Sequence, residues 1–133
     1  MLIAATIRSF VRLVGRFILD LLVIHPFEDG NGRVARLLTG ALLGDHGYTV
    51  GRYVSLEQVI ADSDDAYYQA LLESTHGWHE GTAGPWPWLG YFTSLIASAY
   101  AVFADRAAAA RTPGTKQERI RILRRVQLSR MDF

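Results

Sequence analysis

Arg8, Arg12, Arg16 and Asp20 recur at every fourth position through the first 24 residues, with apolar residues filling the positions between them. That period sets the charged groups on one helix face and Ile3, Ile7, Phe10, Val14, Ile18, Leu21 and Leu22 largely on the other. The spacing predicts one helix over Leu2–Ile24. His25-Pro26 ends it, because the residue before a proline is pushed out of the helical region. A second helix is predicted over Arg33–Leu43, with Val34, Leu37, Leu38, Ala41 and Leu42 on its apolar side and Gly44 and Gly47 as stop signals. "YTVGRYVS" is a connector. Ser55 with Gln58 opens a short helix, and "DSDDAYYQALLES" forms another with its acids at the N-terminal end. "THGWHEGTAGPWPW" is a loop, and Trp88–Asp105 is an apolar core helix. "RTPGTKQE" is a linker in which Thr115 and Glu118 form a second capping pattern before a basic helix from Arg119 to about Ser129. There is no internal repeat and no strand-like alternation of apolar with polar residues. The fold class is all-α.

Composition bounds what such a domain does. The 133 residues suffice for one sizeable core. At 50% hydrophobic and 20% charged the chain is globular, and a net charge of +1 argues against strong nucleic-acid binding. The absence of cysteine excludes disulfides and thiolate zinc sites and fits a reducing compartment. "FILDLLVI" is apolar, but it is interrupted by Asp20 and falls far short of the roughly 20 residues of a membrane span. No signal-peptide cleavage site is placed to follow it. These features describe a soluble, cytoplasmic protein without a membrane partner.

Chemistry concentrates in "HPFEDGNGRVAR", His25 to Arg36. The first N–H groups of a helix have no internal partners and carry partial positive charge, so "GNGR" at a helix start is an anion site. Gly30 and Gly32 allow a tight turn and close approach of a phosphate, and Asn31 offers a side-chain amide. Arg33 and Arg36 share one helical face, and two cations in a first turn oppose the helix dipole unless an anion compensates them. Asp29 is a hard oxygen ligand suited to Mg²⁺. His25 contributes an imidazole nitrogen, the commonest general base. Phe27 reads as an apolar anchor of the loop to the core, and Glu28 as solvated.

This stretch resembles the Fic family signature, His-x-Phe-x-(Asp or Glu)-Gly-Asn-Gly-Arg-x-x-Arg, at every specified position. "YYQALLES", the Trp-rich segment and the following apolar helix are similar to the second half of Fic domains. "GTKQERIRILRRV" is similar to the start of a winged-helix segment that follows some of them. The resemblance implies a Fic-type helical bundle with the motif loop between two central helices. Residues 1–111 would form a partial catalytic core without the upstream β-hairpin flap, and residues 112–133 a linker and basic helix. It further implies a protein adenylyltransferase that moves AMP from ATP to a Ser, Thr or Tyr hydroxyl of a target protein. His25 would be the base, Asp29 the Mg²⁺ ligand, and Gly30, Asn31 and Gly32 the anion hole. Arg33 and Arg36 would meet the outer phosphates. The alternative is a catalytically impaired Fic fragment acting as a nucleotide-binding or DNA-associated regulatory module. No internal inhibitory helix is recognised, so an upstream segment or a small antitoxin-like protein would supply inhibition.

The remaining tempting residues read as structural. His76, His79 and Glu80 do not form a metal cage, and His46 is a helix-end residue. Trp78, Trp86 and Trp88 are packing residues, with Tyr67 and Tyr68 at core and rim. The basic helix, with Arg119, Arg121, Arg124, Arg125 and Arg130, would contact DNA only as part of a winged helix.

Overall fold

Burial follows the periodicity of the first helix in part: Val14 and Ile18 are buried as expected and Phe10, Leu21 and Leu22 half-buried, while Val11 and Leu19, which the pattern did not single out, are also buried. Val11, Val14, Ile18 and Leu19 are the buried stripe of α1 (Leu2–Ile24), whose bounds match the prediction. The structure, a computed structural model, describes residues 2–111 and 114–129; Thr112 and Pro113 of the linker and Arg130 of the basic helix lie outside the described residues. The chain continues through α2 (Asn31–Asp45), a 3-10 turn (Thr49–Arg52), α3 (Leu56–Ala61), α4 (Asp64–Thr75), α5 (Trp86–Arg111) and α6 (Lys116–Ser129). The described residues contain helices and no strand, so the fold is all-α. None of their helices is long and apolar enough to cross a membrane.

Trp88 holds the bundle together. It is 2% exposed, donates its indole Nε1–H to the Gly15 carbonyl at 2.8 Å, and donates its backbone N–H to Ser74 Oγ at 2.9 Å. One residue of α5 thereby fixes α1 and α4, and both of its buried donors are satisfied. Gly15 makes the approach possible, since a β-carbon there would lie 2.9 Å from Phe92 Cδ1. Tyr67 packs edge-on against Trp88 with ring centroids 5.5 Å apart. A smaller cluster of Val50, Val54, Leu56 and Ala99 seats the 3-10 turn and α3 against α5.

Several sequence expectations are corrected. Helix α2 starts two residues earlier than predicted, and its buried stripe is Asn31, Ala35, Thr39 and Leu43. Leu37, placed on the apolar side by pattern, is 74% exposed. Thr39 can be buried because its hydroxyl donates to the Ala35 carbonyl at 2.8 Å, and the small Ala35 lets α2 sit close to its neighbours. Helix α5 runs from Trp86 to Arg111 rather than from Trp88 to Asp105. Pro87 is tolerated in its first turn, and Ala107 to Ala110 are strong helix formers that extend it. Trp88 is core, but Trp86 is 70% exposed, and Trp78 is half-buried beneath the Arg16 guanidinium, 5.5 Å from its ring. The solvent face of α1 also carries Leu13, Phe17 and Ile24, all exposed.

Both capping patterns appear. Ser55 Oγ accepts the Gln58 N–H at 3.2 Å, although the Gln58 side chain turns to Asp62 instead of reaching back. The Thr115–Glu118 box is reciprocal, with Thr115 N–H donating to Glu118 Oε2 at 2.9 Å and Glu118 N–H donating to Thr115 Oγ1 at 3.3 Å.

Two substitutions test this core by urea denaturation. Gly15→Ala forces Phe92 and Leu89 to move and is expected to cost about 1–3 kcal/mol. Trp88→Phe leaves the Gly15 carbonyl without its donor, an expected loss of about 1–3 kcal/mol.

Candidate functional site

The motif loop joins the end of α1 to the start of α2, and the backbone explains its shape. His25 N–H donates to the Leu21 carbonyl at 3.0 Å, and His25 then adopts φ 52°, in the left-handed region. Glycine is the usual residue at this point of a helix end. A residue with a β-carbon is strained there by roughly 1–2 kcal/mol. Helix termination would therefore choose glycine, yet the chain carries an exposed histidine. A strained residue retained against local preference points to chemistry.

Asn31 shapes the rest of the loop. It is 3% exposed; its Oδ1 accepts the Phe27 N–H at 3.1 Å and its Nδ2 donates to the Phe27 carbonyl at 2.7 Å. The side-chain amide that the sequence offered to an anion is thus engaged with Phe27. The Phe27 ring is 48% exposed, so the loop is held by this backbone clamp and not by a buried aromatic anchor.

Gly30 precedes the helix at φ 86°, a conformation that requires glycine. Gly32 is different: it lies inside α2, and the turn makes no demand on it. Its missing side chain leaves room for Arg36, since a β-carbon would sit 3.2 Å from Arg36 Nη1. The first helical hydrogen bond is Val34 N–H to the Gly30 carbonyl at 2.9 Å. The N–H groups of Asn31, Gly32 and Arg33 precede it and have no acceptor within the helix, so they present partial positive charge.

The arginines meet carboxylates. Arg33 Nη2 donates to Asp29 Oδ2 at 3.1 Å, both side chains being exposed. Arg36 Nε donates to Glu57 Oε1 of α3 at 3.0 Å, with the arginine 29% exposed. Beside them opens a groove of about 440 Å³, lined by His25, Gly32 and Arg36 of the motif and by Glu57, Asp64, Tyr67 and Tyr68 of α3 and α4. That size suits a small-molecule ligand. Asp29, Gly30, Asn31 and Arg33 do not line it. Burial pushes the Tyr67 phenol above its ordinary pKa of 10, opposed in part by Arg36, so Tyr67 is a neutral hydroxyl and not a base near pH 7.

Among the described residues no three His, Asp or Glu gather as a metal cage, His76, His79 and Glu80 included. Asp29 is an exposed carboxylate paired with Arg33 just before the start of α2. This fits Mg²⁺, which commonly takes one or two protein carboxylates and completes its shell with phosphate oxygens and water. Glu57 and Tyr68 were not singled out as site residues by sequence. The capping Ser55 places Glu57 in the first turn of a helix, but nothing in the sequence signals its pairing 21 positions from Arg36.

Comparison with known proteins agrees with this geometry. Residues 4–43, which contain nearly all of α1, the loop and most of α2, match the Fic/DOC family. A protein of Aquifex aeolicus described as a probable protein adenylyltransferase is 42% identical over 55 residues, 41% of this chain and 15% of that protein. The ribonucleoside-diphosphate reductase small chain of Ostreid herpesvirus 1 is 49% identical over 49 residues, 37% of this chain and 8% of that protein. The chain spans only a small part of the length of these relatives.

The strain at His25 makes a prediction that separates chemistry from folding. His25→Gly is expected to stabilise the chain by about 0.5–1 kcal/mol, whereas His25→Ala keeps the strain and brings no such gain. Thermal unfolding of the three proteins checks it. Asn31→Ala is expected to destabilise by about 1–3 kcal/mol and to loosen the loop, seen as faster amide exchange at Phe27.

Proposed function

We propose that the chain is the motif-bearing part of a protein adenylyltransferase, moving AMP from ATP to a Ser, Thr or Tyr hydroxyl of a target protein. The observation that carries this reading is the groove in which a strained histidine, a glycine in the first turn of α2 and an arginine meet. The match of residues 4–43 to the Fic/DOC family and the likeness to a relative described as a probable protein adenylyltransferase support it.

In this reaction the target hydroxyl oxygen attacks the α-phosphorus of ATP. The bond from that phosphorus to the bridging oxygen breaks, pyrophosphate leaves, and His25 accepts the hydroxyl proton. The N–H groups of Asn31, Gly32 and Arg33 stabilise charge that develops on the phosphoryl oxygens. Arg36 and, once exchanged from Asp29, Arg33 face the outer phosphates, where guanidinium forks match phosphate oxygens. Asp29 would hold Mg²⁺, which supplies charge neutralisation to the phosphate chain when bound. Asn31 acts by holding the loop. The absence of cysteine suits a cytoplasmic setting for this activity.

The test is label transfer from ATP carrying ³²P at the α- or the γ-position, incubated with Mg²⁺ and candidate target proteins. The reading predicts protein labelling from the α-label alone, lost in folded His25→Ala. Labelling from the γ-label would replace it with phosphate transfer. ATP binding without any transfer would favour the alternative of a nucleotide-binding regulatory module.

A further inference from the structure

We propose that Glu57 is a positioning residue for this site, holding Arg36 by its Nε so that the terminal nitrogens of the guanidinium stay available to a bound phosphate chain. The inference rests on the function proposed above and adds to it a residue outside the motif.

The geometry of the pair carries the argument. Arginine has five N–H donors, one on Nε and four on the two terminal nitrogens. Glu57 Oε1 accepts from Nε at 3.0 Å, and among the described residues no carboxylate is paired with the terminal nitrogens. Nη1 lies over Gly32, where a β-carbon would come within 3.2 Å of it. The arginine is thus gripped on its side while its end rests above the turn whose N–H groups are free. Gly32, Arg36 and Glu57 all line the same groove as His25.

The grip comes from an element that has anchors besides α2. Leu56, adjacent to Glu57, is buried in the cluster with Val50, Val54 and Ala99, and Ser55 caps the helix that follows. The backbone of Glu57 is therefore held by packing against the 3-10 turn and α5 in addition to the contact of α3 with α2. An arginine on the rim of a groove loses side-chain freedom when it binds a ligand, and ordering it beforehand reduces that cost. A carboxylate near a phosphate also repels it, but Glu57 is two-thirds exposed and solvent screens that charge.

The opposite role, in which Glu57 competes with phosphate for Arg36, makes the reverse prediction and can be separated from this one. ATP binding in the presence of MgCl₂ is measured by titration calorimetry for the wild type, Glu57→Gln and Glu57→Ala, after thermal unfolding confirms that each is folded. Glutamine keeps an oxygen that accepts from Nε. Positioning predicts affinity within about twofold of wild type for Glu57→Gln and about fivefold weaker for Glu57→Ala, in line with the modest strength of exposed pairs. In an Arg36→Ala background the Glu57→Ala change should have no further effect, which a merely structural role of Glu57 would not produce. Equal or tighter ATP binding by Glu57→Ala overturns the positioning role and leaves the adenylyltransferase reading intact. A folded wild type that binds no ATP overturns both.

Discussion

The contact between Trp88 and the Gly15 carbonyl is the constraint on which the rest of this structure depends. It joins residues 73 positions apart, at a point where α1 has no side chain and α5 presents its largest one. The same tryptophan takes Ser74 as acceptor and Tyr67 as ring neighbour, so α4 is placed by the contact that places α5. The consequence for the site is direct. His25 is carried on the end of α1, and the groove wall opposite is built by α3 and α4. Their separation is set by the core and not by the loop.

The site itself is the end of one helix facing the start of the next. Three local choices there run against folding preference: a histidine in the left-handed region, an asparagine buried at a helix start, and two arginines near a helix N-terminus. The second is resolved internally, because the Asn31 carboxamide satisfies Phe27 on both sides. The arginines are neutralised by Asp29 and Glu57, carboxylates that a phosphate chain and its metal would displace or share. The first has no compensation within the fold. Such conflict between local preference and observed sequence concentrates where function is carried.

Much of this was legible in advance, for physical reasons that differ by element. Helix α1 was read to the residue because its charged period is regular and Pro26 gives a hard stop. The Thr115–Glu118 cap was visible because its partners are three residues apart. The buried face of α2 was misread because hydrophobicity ranks Leu37 above Asn31 and Thr39, whereas the fold buries the polar pair by satisfying each locally. Gly15 attracted no notice, since a glycine within a helix signals close packing only once its neighbour is known. The motif residues were named from their spacing, but the roles of Asn31 and Gly32 depend on where α2 begins, and that start lay two residues earlier than the pattern indicated. The Arg36–Glu57 pair is a long-range contact with no local signature.

The central claim is that the first turn of α2, with His25 and Arg36 beside it, is where the phosphates of a nucleotide sit. At 14.8 kDa the chain suits two-dimensional amide NMR. A titration with ATP and Mg²⁺ followed in this way tests the claim residue by residue. The amides of Asn31, Gly32 and Arg33 should show the largest saturable shifts, with smaller ones along the α3 and α4 walls of the groove. The Thr115–Glu118 helix start should stay still. Shifts that never saturate, or that appear at other helix starts as strongly as at α2, would contradict the account.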